Sequence, residues 1–342
     1  MLPPGGRQPT IPSCTHLMNP VFPQDVEGAY RLIGTELIAM EELTRLELSS
    51  VDPFVDEIVR YSLRFGGKRL RPALLFLAGK TLGPLNSQHL HAAAAVELVH
   101  TATLIHDDIL DGAAVRRHLA TMNVRWDAQV AVLAGDLLLT RAMELMTRLD
   151  DRRGLRMLSE ACKKTCEGEL RQIGTVGRFE MSQDEYFEMI AGKTAPLLAC
   201  SAQIGALYSG VDKETVERFH RFGHRLGLAF QIVDDVLDLV GETNTVGKTL
   251  RTDLENRKPT LPLILYLQHS DGETRRKMLS MIGEKNFSGI VAVLDSSGMI
   301  DAARKEAETL TEQAIEEIKP YGTGEAVAGL TALARFIVKR ND

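Results

Sequence analysis

Two stretches of the sequence each carry three aspartates at the same spacing, D-D-x-x-D, inside runs of apolar residues. The first is LIHDDILDGAAVRR, from Leu104 to Arg117, and the second is FQIVDDVLDLVG, from Phe230 to Gly241. Close carboxylates repel one another, and their burial is unfavourable unless a positive charge neutralises them. The repeated spacing therefore indicates that these aspartates bind cations.

A helix would place the first and last aspartates of each stretch on one face, because residues four apart point in similar directions. The aspartates concerned are Asp107, Asp108 and Asp111 in the first stretch and Asp234, Asp235 and Asp238 in the second. Two such helices facing each other would line a cavity with oxygen ligands, which suit Mg²⁺ bridged to a substrate phosphate. Solvated helix faces are the alternative, but two copies inside Ile, Val and Leu runs favour the metal site. Neither stretch has the spacing of an EF-hand or a zinc site.

A third stretch, GGKRLRP from Gly66 to Pro72, is basic and begins with two glycines. Glycines let backbone N–H groups approach a ligand closely, and the side chains of Lys68, Arg69 and Arg71 suit phosphate contacts. A basic turn before a helix is the alternative interpretation. Further cations follow the acidic stretches or interrupt an apolar helix, namely Arg116, Arg117, Lys193, Lys248 and Lys258. Carboxylates for a metal and cations for phosphate together predict a diphosphate substrate whose remainder is apolar.

Composition limits the classes of protein to consider. The chain has 342 residues, of which 44% are hydrophobic and 25% are charged, as in soluble globular proteins. Its net charge of −6 gives no support to nucleic-acid binding, so no nucleic-acid partner is expected. The four cysteines follow no disulfide framework and are expected to be reduced, which suits a cytoplasmic protein. No apolar run approaches the ~20 residues of a transmembrane segment, so none is expected.

Helical periodicity runs through the whole chain, and alternating strand patterns are scarce, so the predicted fold class is all-α. The proline-rich residues 1–24 lack the apolar run of a signal peptide and are predicted to form a disordered or surface-draped tail. No long Gly/Ser linker divides residues 25–342, which predicts one all-helical domain. The Ala-rich segment before Asp107 should be a central helix, and the last two helical segments, with charged outer faces, should be peripheral.

The motifs and their order resemble those of the trans-isoprenyl diphosphate synthases, also called polyprenyl synthetases. The matching elements are GGKRLRP, ELVHTATLIHDDILD with RR, AVLAGD, EGEL, AGKTA, GLAFQIVDDVLD and GK…DL…KPTLP. The resemblance implies an isoprenoid-synthase-type bundle of antiparallel helices around a deep central cavity, usually as a homodimer. It also implies a Mg²⁺-dependent prenyltransferase that condenses an allylic prenyl diphosphate with isopentenyl diphosphate, 1′-4 head-to-tail. The product would be a trans-polyprenyl diphosphate, released with a transient membrane contact.

Carried over motif by motif, the resemblance implies roles for individual residues. It implies metal ligands at Asp107, Asp111 and Asp234, supported by Asp108, Asp235 and Asp238. It implies contacts to isopentenyl diphosphate from Lys68, Arg71, His100 and Arg117. For His100 taken alone, a core histidine would be the better interpretation, and only the motif context reverses it. It implies contacts to the allylic diphosphate from Arg116, Lys193, Thr194, Gln231, Lys248 and Lys258. The expected catalytic residues are Asp107, Asp111, Asp234, Lys193, Lys248 and Arg116.

The helix before the first acidic stretch is expected to set the product length. In short-chain members of the family, bulky aromatic residues just before the first aspartate form a floor. Ala102 and Thr103 occupy those places here, with Val99 below them, so a product of twenty carbons or longer is expected. The floor would then lie deeper, near Leu138 or Met143, and Ala102→Phe should shorten the product.

Five positions depart from the family pattern. Gly112 stands where a polar residue is common, His118 and Ala120 stand where Gly and Pro are usual, and Arg251 and Arg257 stand where Gly is common. These loops are expected to cover the site, so they bear on lid closure and on product length. The alternatives to a synthase are a terpene cyclase and a non-catalytic subunit of a heteromeric synthase. The basic motif argues against the cyclase, and the two intact aspartate motifs argue against both.

Overall fold

The computed structural model describes residues 22–240 and 252–340, and most of them are helical, which confirms the all-α prediction. Residues 1–21 of the predicted tail lie outside the described residues. The first five helices lead up to the first acidic stretch: α1 (Gln24–Leu32), α2 (Gly34–Leu48), α3 (Pro53–Ser62), α4 (Leu70–Leu82) and α5 (Ser87–Leu110). A 3₁₀ turn, Leu63–Phe65, follows α3 and precedes the basic stretch.

A short hairpin and three helices come next: β1 (Val115–Arg116), β2 (Leu119–Ala120), α6 (Met122–Arg125), α7 (Ala128–Thr147) and α8 (Arg153–Gly174). The strands are antiparallel, and Val115 lies opposite Ala120. Arg117 and His118 form the turn between them, with φ angles of 50° and 63°. This left-handed conformation favours glycine, which gives a physical reason for the glycine usual at position 118.

The second half of the chain is helical throughout its described part. Its helices are α9 (Gln183–Lys193), α10 (Ala195–Leu207), α11 (Lys213–Val240), α12 (Thr252–Glu255), α13 (Leu261–His269), α14 (Gly272–Gly283), α15 (Phe287–Ser296), α16 (Met299–Ile318) and α17 (Glu325–Lys339). A 3₁₀ turn, Lys319–Tyr321, joins the last two. No helix within the described ranges is both long enough and apolar enough to cross a bilayer.

Two apolar clusters form the core. One surrounds α4, α5, α7 and the first part of α11, and the other surrounds α9, the second part of α11 and α13 to α16. The helix before the first acidic stretch is buried along most of its length, as predicted. Ile105 belongs to the first cluster and Ile232 to the second. The two acidic stretches therefore belong to different apolar clusters. The space between the two stretches lies at the boundary between these clusters.

Small residues let the central helices approach closely. Every residue of α10 is buried, and this helix packs against α4, α8 and α11. A Cβ atom at Gly205 would lie 2.2 Å from the carbonyl oxygen of Leu75, and one at Gly227 would lie 2.4 Å from the Cα atom of Ala195. Helix α16 packs its apolar face along α11 and exposes its charged face, and this packing supports the helix that carries the second acidic stretch.

The helical pattern is interrupted at two points that the sequence pattern does not reveal. Ile33 separates α1 from α2, and Thr194 separates α9 from α10. Pro196 occupies the first turn of α10, where its missing N–H is tolerated but continuation of α9 is not. The break places Lys193 and Thr194 at a helix junction, where their side chains reach the boundary between the two clusters.

Candidate active site

The last turn of α5 forms one wall of the site. Asp107 is half-buried and Asp111 is exposed at the end of the helix. Burial raises the pKa of Asp107 to about 6, and the neighbouring carboxylates of Glu169 and Asp111 add to the rise. This wall therefore carries more negative charge than its protein neighbours neutralise.

The middle aspartate of the first stretch turns inward. Asp108 is 1% exposed, and its Oδ1 atom accepts a hydrogen bond of 2.7 Å from Nε of Arg116 in β1. The hairpin is thus tied to the end of α5 by a buried ion pair. Arg116, which the resemblance assigns to the allylic diphosphate, binds Asp108 in this structure.

The second part of α11 forms the opposite wall, and its middle aspartate also turns inward. Asp235 is 5% exposed and accepts hydrogen bonds from the Tyr186 hydroxyl at 2.7 Å and from Nε2 of Gln231 at 2.9 Å. Burial and the Asp253 carboxylate raise the pKa of Asp235 well above its usual value, and these two hydrogen bonds oppose the rise. In both stretches the middle aspartate is therefore held by protein donors.

Helix α12 adds a further carboxylate beside the second stretch. The Asp253 backbone N–H donates to Oδ2 of Asp238 at 3.0 Å. Burial raises the pKa of Asp253 to about 6, and the Asp238 carboxylate adds to it. Nζ of Lys258 lies 3.3 Å from Oδ1 of Asp111 and 3.9 Å from Oδ1 of Asp253. Lys258 thus bridges the two acidic walls, which face each other.

Lys193 reaches the same space from the junction of α9 and α10. Its Nζ atom lies 3.0 Å from Oε1 of Glu169 and donates to Oε1 of Gln172 at 2.9 Å. Although burial acts to lower it, the pKa of Lys193 is raised, because Glu169 lies beside the ammonium group. At the same junction the Thr194 hydroxyl donates to Oε1 of Gln231 at 2.5 Å.

The four residues assigned to isopentenyl diphosphate gather at the start of α4. Burial and the arginines around it, Arg71 and Arg117 first, lower the pKa of His100 well below its usual value. Burial also lowers the pKa of Arg71 to about 10. The Tyr30 hydroxyl donates to the backbone carbonyl of Lys68, and the Lys68 ammonium lies 5.1 Å from the centre of the Phe336 ring. These contacts define a positively charged group, and its partly buried cations suit an anion.

The two glycines of the basic stretch lie against arginine side chains of the protein itself. A Cβ atom at Gly66 would lie 2.4 Å from the guanidinium group of Arg69, and one at Gly67 would lie 2.3 Å from that of Arg117. Arg117 also donates to the carbonyl of Phe65. The glycines therefore make room for arginines, whereas the sequence pattern suggested that they expose backbone N–H groups to a ligand.

The C-terminal helix also reaches the second wall. Arg340 follows α17, and its Nη2 atom donates to Oδ1 of Asp234 at 2.5 Å. Its guanidinium group lies 3.9 Å from the centre of the Phe230 ring, so this cation packs on the same helix that carries the aspartate. Asp234, one of the assigned metal ligands, is thus paired with a cation of the chain in this structure.

The donor set fits a hard divalent cation. Within the described ranges, no three His, Cys, Asp or Glu side chains converge on one point. However, carboxylates dominate both walls, and burial raises the pKa of both Asp107 and Asp253 to about 6. Carboxylate oxygens on two facing walls are the ligands that Mg²⁺ and Ca²⁺ prefer.

A narrow cleft lies beside the second acidic wall, among α8, α9, α11 and the segment that begins with α12. Its volume is about 30 Å³, and the residues that line it include Gln172, Lys193, Gln231, Asp253 and Lys258. This volume accommodates water molecules rather than a diphosphate.

Comparison with known proteins decides the family. The chain matches the family model of polyprenyl synthetases over residues 52–295. The chain belongs to the polyprenyl synthetase family. It is therefore an enzyme of the trans-prenyltransferase class.

Individual relatives of this polyprenyl synthetase span nearly its whole length. The all-trans-nonaprenyl-diphosphate synthase (geranyl-diphosphate specific) of Rhodobacter capsulatus is 35% identical over 320 residues, covering 92% of this chain and 97% of the relative. Component 2 of the heptaprenyl diphosphate synthase of Bacillus subtilis is 30% identical over 314 residues, covering 91% and 90%. A polyprenyl synthase structure from Caulobacter crescentus, complexed with calcium and isoprenyl diphosphate, has a TM-score of 0.88 at 33% identity and covers 94% of this chain and 100% of that one.

The remaining predicted residues of this polyprenyl synthetase are those assigned to product length and those that depart from the family pattern. Ala102 and Val99 are 0% and 2% exposed, and Thr103 is half-buried, one turn before Asp107. The Arg257 backbone has a φ angle of 54°, which explains the glycine common at that position. Two further predictions, Lys248 and Arg251, lie outside the described residues.

The structure brings to the site five residues to which no role was assigned from the sequence: Glu169, Gln172, Tyr186, Asp253 and Arg340. Two of them lie in motifs that match the family, EGEL and GK…DL, so their positions in those motifs were a usable signal. Spacing alone offered nothing for the other three, because their partners lie far away in the sequence, for example 49 residues between Tyr186 and Asp235.

Proposed function

We propose that this chain is a Mg²⁺-dependent synthase that joins an allylic prenyl diphosphate to isopentenyl diphosphate and gives a trans-polyprenyl diphosphate of twenty carbons or longer. The single observation that carries the proposal is the juxtaposition of two carboxylate walls, bridged by Lys258, with a positively charged group at the start of α4. Family membership supplies the reaction class, and this juxtaposition supports the pair of diphosphate substrates.

The metal would be held by aspartates of both walls, namely Asp107, Asp111, Asp234 and Asp238. When bound, Mg²⁺ supplies positive charge that stabilises the leaving diphosphate and a template that orients it. The inward-facing Asp108 and Asp235 support these ligands from behind. Arg340 is the counter-ion of Asp234 in this structure and must leave that carboxylate when it takes up its role as a ligand.

The allylic diphosphate would be held by cations and donors around the cleft. Lys193, Thr194, Gln231 and Lys258 surround it, and Arg116 and Lys248 complete the set that the resemblance assigns. Negative charge grows on the diphosphate as the allylic C–O bond breaks, and donors placed beforehand stabilise that charge most effectively. Glu169 and Gln172 keep Lys193 extended toward the cleft, so little reorganisation is needed when the substrate arrives.

Isopentenyl diphosphate would bind at the positively charged group of Lys68, Arg71, His100 and Arg117. His100 stays neutral because burial and the arginines lower its pKa well below the usual value. A neutral imidazole donates a hydrogen bond to the diphosphate without adding a further buried charge. The arginines supply the charge-assisted contacts.

The bond changes follow from this arrangement. The C–O bond of the allylic substrate breaks, and its electron pair leaves with the diphosphate. The double bond of isopentenyl diphosphate supplies the electron pair of the new C–C bond to the allylic carbon. A proton is then lost from the isopentenyl unit to the departed diphosphate, which restores a double bond in the longer allylic product. The apolar helices exclude water, which would otherwise capture the carbocation.

The side chains at positions 99, 102 and 103 support a long product. Val99, Ala102 and Thr103 are small, so α5 presents no bulky floor below the first acidic stretch. The relatives named nonaprenyl and heptaprenyl synthases differ in product length, and the length made by this chain belongs to the proposal. The proposal also includes a homodimer. The competing arrangement is a complex with a second, different subunit, because one relative is named as component 2 of its synthase.

Turnover by the purified chain alone tests the proposal. Farnesyl diphosphate, radiolabelled isopentenyl diphosphate and Mg²⁺ should give prenyl diphosphates of twenty or more carbons, sized by chromatography after dephosphorylation, and EDTA should abolish the product. A sole fifteen-carbon product from geranyl diphosphate would contradict the length. A hydrocarbon product would favour a terpene cyclase. No product without a second protein would favour the heteromeric subunit, and light scattering of the purified chain tests the homodimer.

A further inference from the structure

A buried chain of hydrogen bonds links α9 to the wall of the cleft. The Tyr186 hydroxyl donates to Oδ2 of Asp235 at 2.7 Å, and Nε2 of Gln231 donates to Oδ1 of the same carboxylate at 2.9 Å. The Thr194 hydroxyl donates to Oε1 of Gln231 at 2.5 Å. Tyr186 is 0% exposed, so its hydroxyl has no access to solvent.

The hydrogen bonds in this series can run in only one direction, from donor to acceptor. Both oxygens of Asp235 accept, so the nitrogen of the Gln231 amide must face Asp235 and its oxygen must face Thr194. The Thr194 hydroxyl then has to donate to that oxygen. If the amide turned over, its oxygen would face an oxygen of Asp235, and the two acceptors would repel each other. The orientation of Gln231 is therefore set by Asp235 and not by Gln231 itself.

Gln231 connects this series of hydrogen bonds to the cleft. Its side chain lines the 30 Å³ cleft together with Lys193, Asp235, Asp253 and Lys258. An amide nitrogen carries two hydrogens, and Asp235 accepts only one of them. The second hydrogen remains to donate to an anion in the cleft, provided that the amide stays in its present orientation.

We propose that Tyr186 is a positioning residue for the allylic diphosphate, and that it acts through Asp235 on the Gln231 amide. The hydroxyl fixes one oxygen of Asp235 and leaves the other to orient Gln231, so that an N–H of the amide is available to the diphosphate. The inference rests on the proposed function, which assigns Gln231 and Thr194 to that substrate. Asp235 is accordingly a positioning residue as well, and not a metal ligand.

Tyr186→Phe tests the inference, because it removes one hydroxyl and leaves the ring in place. The KM for farnesyl diphosphate should rise about tenfold, as expected for loss of one hydrogen bond to a charged group. The KM for isopentenyl diphosphate should stay within about twofold. The Kd of farnesyl thiodiphosphate, an unreactive analogue measured by calorimetry with Mg²⁺, should rise by the same factor as the KM for farnesyl diphosphate.

Tyr208→Phe is the matched control. Tyr208 is also buried, and its hydroxyl donates to the backbone carbonyl of Asp151 at 3.3 Å, away from the cleft. This variant should leave both KM values unchanged. A Gln231→Met background supplies the second control. Tyr186→Phe should have no further effect on farnesyl thiodiphosphate affinity there, because the route through Gln231 is already gone.

Three results would overturn the inference: an unchanged KM for farnesyl diphosphate, equal rises for both substrates, or independent effects of Tyr186→Phe and Gln231→Met. If Tyr186→Phe does not fold, Asp235→Asn tests the same route. The new amide nitrogen is a donor, so it cannot accept the hydrogen bond from Tyr186 or from Gln231 that it faces. Unchanged farnesyl thiodiphosphate affinity in this variant would also overturn the inference. Wild-type protein that makes no product overturns the proposed function instead. Wild-type turnover with an unaffected Tyr186→Phe variant overturns only the inference.

Discussion

At the scale of single residues, the two glycines of the basic stretch show how a local sequence feature serves a distant side chain. The absence of a Cβ atom at Gly67 leaves room for the guanidinium group of Arg117, 50 positions later in the chain. Arg117 in turn occupies a left-handed turn position of the hairpin. The placement of this cation therefore depends on two loops that are far apart in sequence.

Gly67→Ala should impair substrate binding more than stability. A Cβ atom there would meet only the end of a flexible arginine side chain, which can move aside, so the fold should tolerate it. Loss of the Arg117 contact should raise the KM for isopentenyl diphosphate about tenfold, or roughly 1.4 kcal/mol. Steady-state kinetics and thermal unfolding measure the two effects. Gly28→Ala, with nothing within 4 Å of its Cβ, is the control, and an unchanged KM in Gly67→Ala would refute the role given to Arg117.

His224 gives the molecule a pH dependence away from the site. It lies on α11 with its ring 6.0 Å from that of His220. Burial lowers the pKa of His224 to about 4, and His220 and Lys164 add to the shift. Between pH 4 and about 6.5 the unfolded chain therefore binds more protons than the folded protein, so stability falls as pH falls through this window.

His224→Gln should weaken that dependence. Between pH 7 and pH 5, the free energy of unfolding of the variant should fall by about 1 kcal/mol less than that of the wild type, allowing for partial solvent screening. Urea unfolding at both pH values measures the difference. Equal slopes for wild type and His224→Gln would show that another group governs it.

At the scale of elements, the crossing of α8 and α9 determines where Lys193 lies. A Cβ atom at Gly168 would lie 2.3 Å from the backbone of Gly192, so the two helices touch at a pair of glycines. The contact brings Glu169 and Gln172 of α8 within 3.0 Å and 2.9 Å of the Lys193 ammonium group. The position of the Lys193 ammonium group and its partners therefore depends on the close packing of α8 against α9.

Gly168→Ala should separate the two helices. The new methyl group would meet backbone atoms that cannot rotate away, which should lower the free energy of unfolding by about 1–3 kcal/mol. Turnover should fall as well, because Lys193 loses its partners. Chemical denaturation and turnover under saturating substrate measure both. Gly174→Ala, at the open end of the same helix, should change neither, and a wild-type-like Gly168→Ala would contradict the close contact.

The elements also show how far a sequence predicts this molecule. Helical spacing fixed which aspartates share a face, and the order of motifs identified the family and the all-α fold. Spacing did not predict that Asp108 and Asp235 turn inward, because their partners come from other elements. The break at Thr194 was missed because the flanking sequence is helical on both sides.

At the scale of the whole molecule, cations from distant parts of the chain pair with aspartates of both walls. Lys258 pairs with Asp111 of the opposite wall, and Arg340 of the C-terminal segment pairs with Asp234. Substrate diphosphates and divalent cations would replace these internal partners with external ones.

Product length provides a test of where the prenyl chain runs through the bundle. Thr103 is half-buried on the face of Asp107, and Ala102 is fully buried beside it. Thr103→Phe should shorten the product with little loss of stability. Ala102→Phe should shorten it too, but overpacking should cost about 1–3 kcal/mol of stability. Chromatography of the products and thermal unfolding separate the two effects, and wild-type product lengths from both variants would place the chain elsewhere.

The inward orientation of the middle aspartates bears on how genetic screens of this enzyme should be interpreted. Alanine scanning scored by growth would mark all six aspartates of the two motifs as essential. For Asp108 and Asp235, however, the damage would fall on the arginine, tyrosine and glutamine that they anchor. Such strains should respond to suppressor changes in the hairpin or in α9, whereas extra magnesium in the medium should leave their growth defect unrelieved.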